Sequence, residues 1–324
     1  MNFIQQAYKG KIDWGRFIIS LVVIFAGWQI IGSTPLFIAA VVKSPDEGAF
    51  QRVLSDIVQG KNIDANLYLL LMISTFAIGL LFLKGSVRWF YKRDFKSLLT
   101  SRKKLDWKRS FFSFGIWFLF SLSLLALDYL LHPENYVWNF DFVPFSVLVL
   151  ISFLLLPIQT GFEELFFRGY LMQSIGSLFH NRWVPLLFTS ILFGLLHSFN
   201  PEIEKLGFIV MIYYIGTGFL FGITTLMDEG LELSLGMHAA NNIVAAVFVT
   251  TNWTVFQTDA LFIDISEPNL GLEMYVPVFV IYPILIYILS KKYQWKDWKN
   301  KLFGKIDKPV IQPVDKSLSP NQQD

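Results

Sequence analysis

The chain has 324 residues, of which 54% are hydrophobic, 17% aromatic and only 16% charged. A water-soluble globular chain carries about 25% charged residues, so this composition excludes an ordinary soluble enzyme and equally a disordered protein. The formal charge of +2 carries no signature of a nucleic-acid partner, and the absence of cysteine excludes disulfides, thiolate zinc sites and cysteine nucleophiles.

A bilayer core of about 30 Å is crossed by about 20 apolar residues in a helix. Eight stretches qualify, near 17–42, 65–84, 110–131, 143–162, 184–199, 206–227, 233–251 and 274–290. The first is too long for a signal-peptide core and reads as an uncleaved span. The fourth runs on into Gly161-Phe162-Glu163-Glu164, and the fifth and seventh are short or carry polar residues. No internal repeat is visible. The predicted fold is an all-α polytopic membrane protein of about eight transmembrane helices, with a catalytic core in helices four to seven.

The basic residues test this topology. If eight helices alternate, 23 of the 27 lysines and arginines fall on one side, in the segments before the first span, 84–109, 163–183 and after 291. Only Lys43, Arg52, Lys61 and Lys205 fall on the other, and the loops 132–142 and 252–273 have none. The positive-inside rule then places both termini in the cytoplasm, in what is expected to be a bacterial cytoplasmic membrane. Four regions follow: N-terminal helices with a basic loop (1–142), a core (143–251), an outer loop with the last span (252–290), and a basic tail (291–324). In the tail, Trp295, Trp298 and Leu302 recur at helical spacing among lysines, the pattern of an interfacial helix on anionic lipid. From Lys308 onwards the prolines and polar residues predict disorder.

An ionisable group near the bilayer centre costs about 2.5–3.5 kcal/mol on insertion scales, which makes each one a candidate functional residue. Three clusters stand out. In Glu163-Glu164-Leu-Phe-Phe-Arg168, Glu164 and Arg168 are one helical turn apart and can pair, leaving Glu163 free. Phe193-x-x-x-His197 ends the fifth span, and His238-Ala-Ala-Asn241-Asn242 puts His238 and Asn242 on one face of the seventh. Each alone is explained by an interfacial ion pair, a packed histidine or polar contacts between helices. Their conjunction is not, because the chain has only four histidines and the other two, His132 and His180, fall at loop positions.

In this order on successive helices, Glu163-Glu164-x-x-x-Arg168, Phe193-x-x-x-His197 and His238-x-x-x-Asn242 resemble the CPBP family of membrane proteases. That family includes the CAAX prenyl endoproteases and the bacterial Abi proteins linked to bacteriocin self-immunity. The resemblance covers about 143–251 and no element of the pattern is missing. It implies an endopeptidase acting on a membrane-associated protein or peptide, and the sequence carries nothing that requires the substrate to be prenylated.

Peptide hydrolysis needs an activated water and donors for the oxyanion that forms on the scissile carbonyl. By similarity to the family, Glu163 with His197 would activate the water, His238 and Asn242 would hold the oxyanion, and Glu164 and Arg168 would support them. No cofactor is then needed. The same residues also allow a zinc-dependent version, with Glu163, His197 and His238 as ligands and a fourth position open for water. There is no His-Glu-x-x-His, no Gly-x-Ser-Gly and no Gly-x-Gly-Asp, the motifs of other membrane proteases. A transporter would call for matching halves with interrupted helices, which the chain lacks. A non-catalytic scaffold or regulator is the remaining alternative, although the loss of a reactive position expected of such a relative is not seen here.

Overall fold

The computed structural model describes residues 1–268, 271 and 274–309. Long apolar helices dominate: α1 (Trp14–Lys43), α2 (Phe50–Val58), α3 (Ala65–Trp89), α4 (Trp107–Leu131) and α5 (Phe142–Phe179). They are followed by α6 (Trp183–Phe199), α7 (Phe208–Asp228), α8 (Glu232–Val247), α9 (Tyr282–Tyr293) and α10 (Trp298–Phe303). Five of these, α1, α3, α4, α5 and α7, are long and apolar enough on their own to cross a membrane. The protein is an all-α polytopic membrane protein.

Aspartate sets where four helices begin. Asp13, Asp64, Asp106 and Asp141 each accept a hydrogen bond from a backbone N–H in the first turn of α1, α3, α4 and α5. These N–H groups have no partner inside the helix, and a short acceptor that also favours the positive end of the helix dipole meets that need. Between the caps, large apolar side chains such as Ile18, Val22, Leu81, Leu119, Leu130, Leu150 and Leu154 point outwards and stay exposed, as suits a lipid-facing surface.

Seen from its contacts, the molecule has two ends. At one, the N-terminal residues meet the segment around Ile306: Gln5 donates to the Asp307 carbonyl at 2.9 Å, and the Ile306 N–H to the His180 carbonyl at 3.0 Å. The 84–109 segment joins them through Arg102, which pairs with Asp228 at 2.8 Å and with Glu232 at 3.0 Å. All four basic segments therefore share this end, called here the basic end. At the other, β1 (Tyr136–Trp138), β2 (Val249–Thr250) and β3 (Phe262–Asp264) form a small sheet in the order β1-β3-β2, with β1 antiparallel and β2 parallel to β3. Asn66 ties the start of α3 to this sheet end by donating to Asp259 at 2.9 Å and to the Pro144 carbonyl at 3.0 Å.

Two features differ from the sequence expectation. The fourth helix, read as running on past 162, continues much further, to Phe179, because residues 165–175 pack against the N-terminal segment and residues 91–98 instead of leaving the fold. In the basic tail, Gln294 and Asp297 adopt left-handed backbone conformations, so the helix breaks and only Trp298–Phe303 re-forms. Trp295 and Leu302 are buried in the protein's own basic end, where the Trp295 indole donates to Asp228 at 3.1 Å, while Trp298 remains partly exposed. The tail beyond 309, expected to be disordered, lies outside the described residues.

Candidate active site

Glu163 and Glu164 sit where α5 changes from α-helical to π-helical winding, the π segment spanning Leu165–Leu171. Single π turns inside α-helices recur at functional sites because they rotate the side chains that follow. Glu164 and Arg168 are fully buried and pair at 2.9 Å across this junction. Arg168 also donates to the Gly218 carbonyl on α7 at 3.1 Å, and its guanidinium lies 4.5 Å from the Phe193 ring centre and 5.4 Å from that of Phe221. A buried cation is tolerable only with such partners: a carboxylate, a carbonyl and two aromatic faces.

Gly194 and Gly218 let α6 and α7 approach closely enough to build this cage. A Cβ at Gly218 would lie 2.6 Å from the Ser190 carbonyl oxygen, and one at Gly194 would lie 2.4 Å from Ile215. Phe193 is thereby held against both Arg168 and His238.

His238 enters from α8 between the two glutamates. Its Nδ1 is 3.0 Å from Glu164 Oε1 and its Nε2 is 3.6 Å from Glu163 Oε2. Since Glu164 Oε1 already accepts from Arg168 and can only accept, Nδ1 carries a proton and the Nε2 edge is turned towards Glu163. Phe221 stacks on the imidazole at 5.0 Å. Glu163 is buried, with Gln159 one turn earlier donating to it at 3.4 Å. The 3.6 Å separation is too long for a direct hydrogen bond, a looseness often seen in catalytic sites without substrate.

His197 lies one turn beyond Phe193. Its Nδ1 meets the Phe193 carbonyl at 2.7 Å, which makes Nδ1 the donor and leaves Nε2 of the neutral ring with a lone pair. Tyr214 stacks on its other side at 4.4 Å. Asn242 sits one turn beyond His238; its Oδ1 accepts from Asn241 at 3.2 Å, and its Nδ2 makes no hydrogen bond among the described residues. Glu163, His197, His238 and Asn242 all line one cavity of about 340 Å³. Glu164 and Arg168 lie beneath it and do not line it.

The possible zinc set is not assembled in the same sense. Among the described residues no three His, Asp or Glu side chains converge as a metal site requires. The Nδ1 edges of His238 and His197 are turned to Glu164 and to the Phe193 carbonyl, which leaves each Nε2 open equally to water or to a metal.

The family described as "Type II CAAX prenyl endopeptidase Rce1-like" matches residues 142–244, the stretch that holds all six of these residues. An uncharacterised protein of Bacillus subtilis (strain 168), YyaK, is 33% identical over 309 residues, covering 94% of this chain and 99% of that protein. The chain belongs to the Rce1-like family. No solved structure matches it at a significant level. Membership implies a membrane protease, in keeping with the resemblance read from the three motifs.

Sequence reasoning missed three residues that shape this Rce1-like cavity. Gln159 and Tyr214 belong to no motif, and the one available signal was the place of Gln159 a helical turn before Glu163. Glu202, in the short helix Pro201–Leu206, lines the cavity and accepts from the Val255 N–H at 3.1 Å, pinning residues 255–258 over the site. Burial holds its carboxyl above the ordinary range, partly offset by backbone hydrogen bonds.

Proposed function

We propose that the protein is an intramembrane endopeptidase that hydrolyses a peptide bond of a membrane-associated protein or peptide through a metal-free, glutamate-based mechanism. Glu163 is the general base, with the lone pair of His197 Nε2 as the second acceptor for the attacking water. Water gives its proton to this pair as its oxygen adds to the scissile carbonyl. The oxyanion is held by Asn242 Nδ2 and by His238 as the imidazolium, whose Nε2–H donates to it while Nδ1–H stays on Glu164, and collapse returns the proton taken from water to the leaving amine. Glu164 accepts from His238 Nδ1 and so orients the ring, while Arg168 keeps Glu164 in its acceptor state. The observation that carries this reading is the single cavity shared by Glu163, His197, His238 and Asn242, lined by an uncommitted amide donor as well as a carboxylate.

The alternative with zinc uses Glu163, His197 and His238, and it is the chemistry to test against. Purified protein is to be assayed on a panel of membrane-inserted peptides before and after strict chelation, beside elemental analysis. Turnover that survives chelation in metal-poor protein supports the glutamate mechanism. Stoichiometric zinc whose removal stops turnover and whose return restores it overturns that mechanism. Absence of turnover on every peptide in well-folded protein favours a scaffold.

A further inference from the structure

The cavity extends away from the basic end, towards the sheet end. Its walls rise from Glu163 and His238 through His197 and Asn242 to Tyr68, Glu202 and Gln257. Those last three belong to the sheet end: Tyr68 lies in the first turn of α3, and Glu202 and Gln257 lie in the connections after α6 and α8. Gln257, on the rim, is exposed, and so is Ala245 within the cavity wall.

Towards the basic end the site is sealed. Every residue from Phe162 to Ser177 is buried, as are Thr224–Asp228 on α7 and Glu232–Ser234 at the start of α8. Beneath them lies an ionic layer in which Asp228 meets Arg102, Arg109 and Trp295, and Glu229 accepts from Lys301 and from the Phe3 N–H. The placement of basic residues gives this axis a sign. Leaving aside Arg168 in the site and Lys316 outside the described residues, 21 of the 27 lysines and arginines fall in the segments gathered at the sealed end, and the transmembrane bias of lysine and arginine puts such an end in the cytoplasm.

We infer that the active site is entered from the non-cytoplasmic side, and that its substrate is an extended polypeptide segment presented at the outer face of the membrane. Glu163 is close to the basic segments in sequence, yet the cavity it lines extends away from them. The chemistry rests on the protease reading above; the direction of entry does not. The wall also defines what fits. Trp28, Met72, Phe76, Tyr213 and Phe256 give an aromatic and apolar lining, suited to hydrophobic side chains flanking the cleaved bond.

The chain contains no cysteine, so single-cysteine variants report access without background. Ala245→Cys (cavity), Gln257→Cys (rim) and Lys299→Cys (basic end) are to be treated with a membrane-impermeant maleimide in intact cells and after permeabilisation. Labelling of Gln257→Cys and Ala245→Cys in intact cells, with Lys299→Cys labelled only after permeabilisation, is expected. The reverse pattern, or an Ala245→Cys thiol reached only from the cytoplasmic side, overturns the inference. In parallel, a quenched-fluorescence peptide library is added outside sealed right-side-out vesicles, with Glu163→Gln as the blank. Cleavage without detergent is expected, and cleavage only after detergent overturns outward entry. No cleavage in either condition overturns the protease reading, and the labelling pattern then still decides the direction of entry.

Discussion

Two polar clusters lie at different depths of the same helices, and they are built on opposite principles. At the basic end, both carboxylate oxygens of Asp228 are engaged, by Arg109 and Trp295 on one and Arg102 on the other, and the arginines keep a fifth of their surface in solvent. Some ten residues further into α8, donors and acceptors are left over: Glu164 Oε2 has no partner, Asn242 Nδ2 has none among the described residues, and Glu163 faces His238 across 3.6 Å. A saturated cluster fastens segments together. An under-saturated one beside a cavity keeps its capacity for groups that arrive later, and leaving buried polar atoms unpaired costs enough that it marks a site with a task.

The comparison breaks most sharply at Glu163. Glu163→Gln preserves shape and the Gln159 contact but removes the base, so turnover is expected to fall by up to about 10⁴-fold with thermal stability near wild type. Parallel kinetics and melting curves check both halves. Glu164→Gln should differ in kind. It leaves Arg168 buried without its counter-charge, a loss on the order of 3–5 kcal/mol in stability, visible as a large drop in melting temperature and yield. Full folding with abolished turnover in Glu164→Gln, beside an active Glu163→Gln, would exchange the roles of the two glutamates.

The donors come next. His238→Ala and Asn242→Ala should each depress kcat far more than they change KM, by about 10²–10³-fold, because an oxyanion contact forms only in the transition state. An effect confined to KM would assign Asn242 to substrate binding. At the basic end the pattern should invert: Asp228→Ala is expected to cost about 1–3 kcal/mol in stability while the activity per folded molecule stays unchanged. Loss of turnover in stable Asp228→Ala protein would tie the two clusters together.

The smallest effect belongs to Glu202. Its raised pKa means that the folded state holds a proton the unfolded chain has released, so its contribution to stability is present below the unfolded value and is lost as pH rises through the folded one. Glu202→Gln keeps an acceptor for the Val255 N–H and should flatten that part of the stability profile, read by melting curves across mildly acidic to neutral pH. A profile identical to wild type would place the proton elsewhere.

The class of fold was legible in composition and hydropathy because a bilayer demands long apolar helices whatever their packing. The segregation of basic residues predicted an even number of crossings, and among the described residues those segments gather at one end. Glu163, Glu164, Arg168, His197, His238 and Asn242 were each visible as polar residues in apolar surroundings, and helical spacing alone paired Glu164 with Arg168 and aligned His238 with Asn242. What spacing along one helix cannot give is contact between helices. The placing of His238 between two glutamates depends on the close approach of α6 and α7 at Gly194 and Gly218 and on the π segment after Glu164. The direction of the cavity depends on it too. Proximity in sequence put Glu163 near the basic segments, but the run from Glu164 to Ser177 is buried throughout on that side of it, and only packing decides which side of a buried carboxylate is left open.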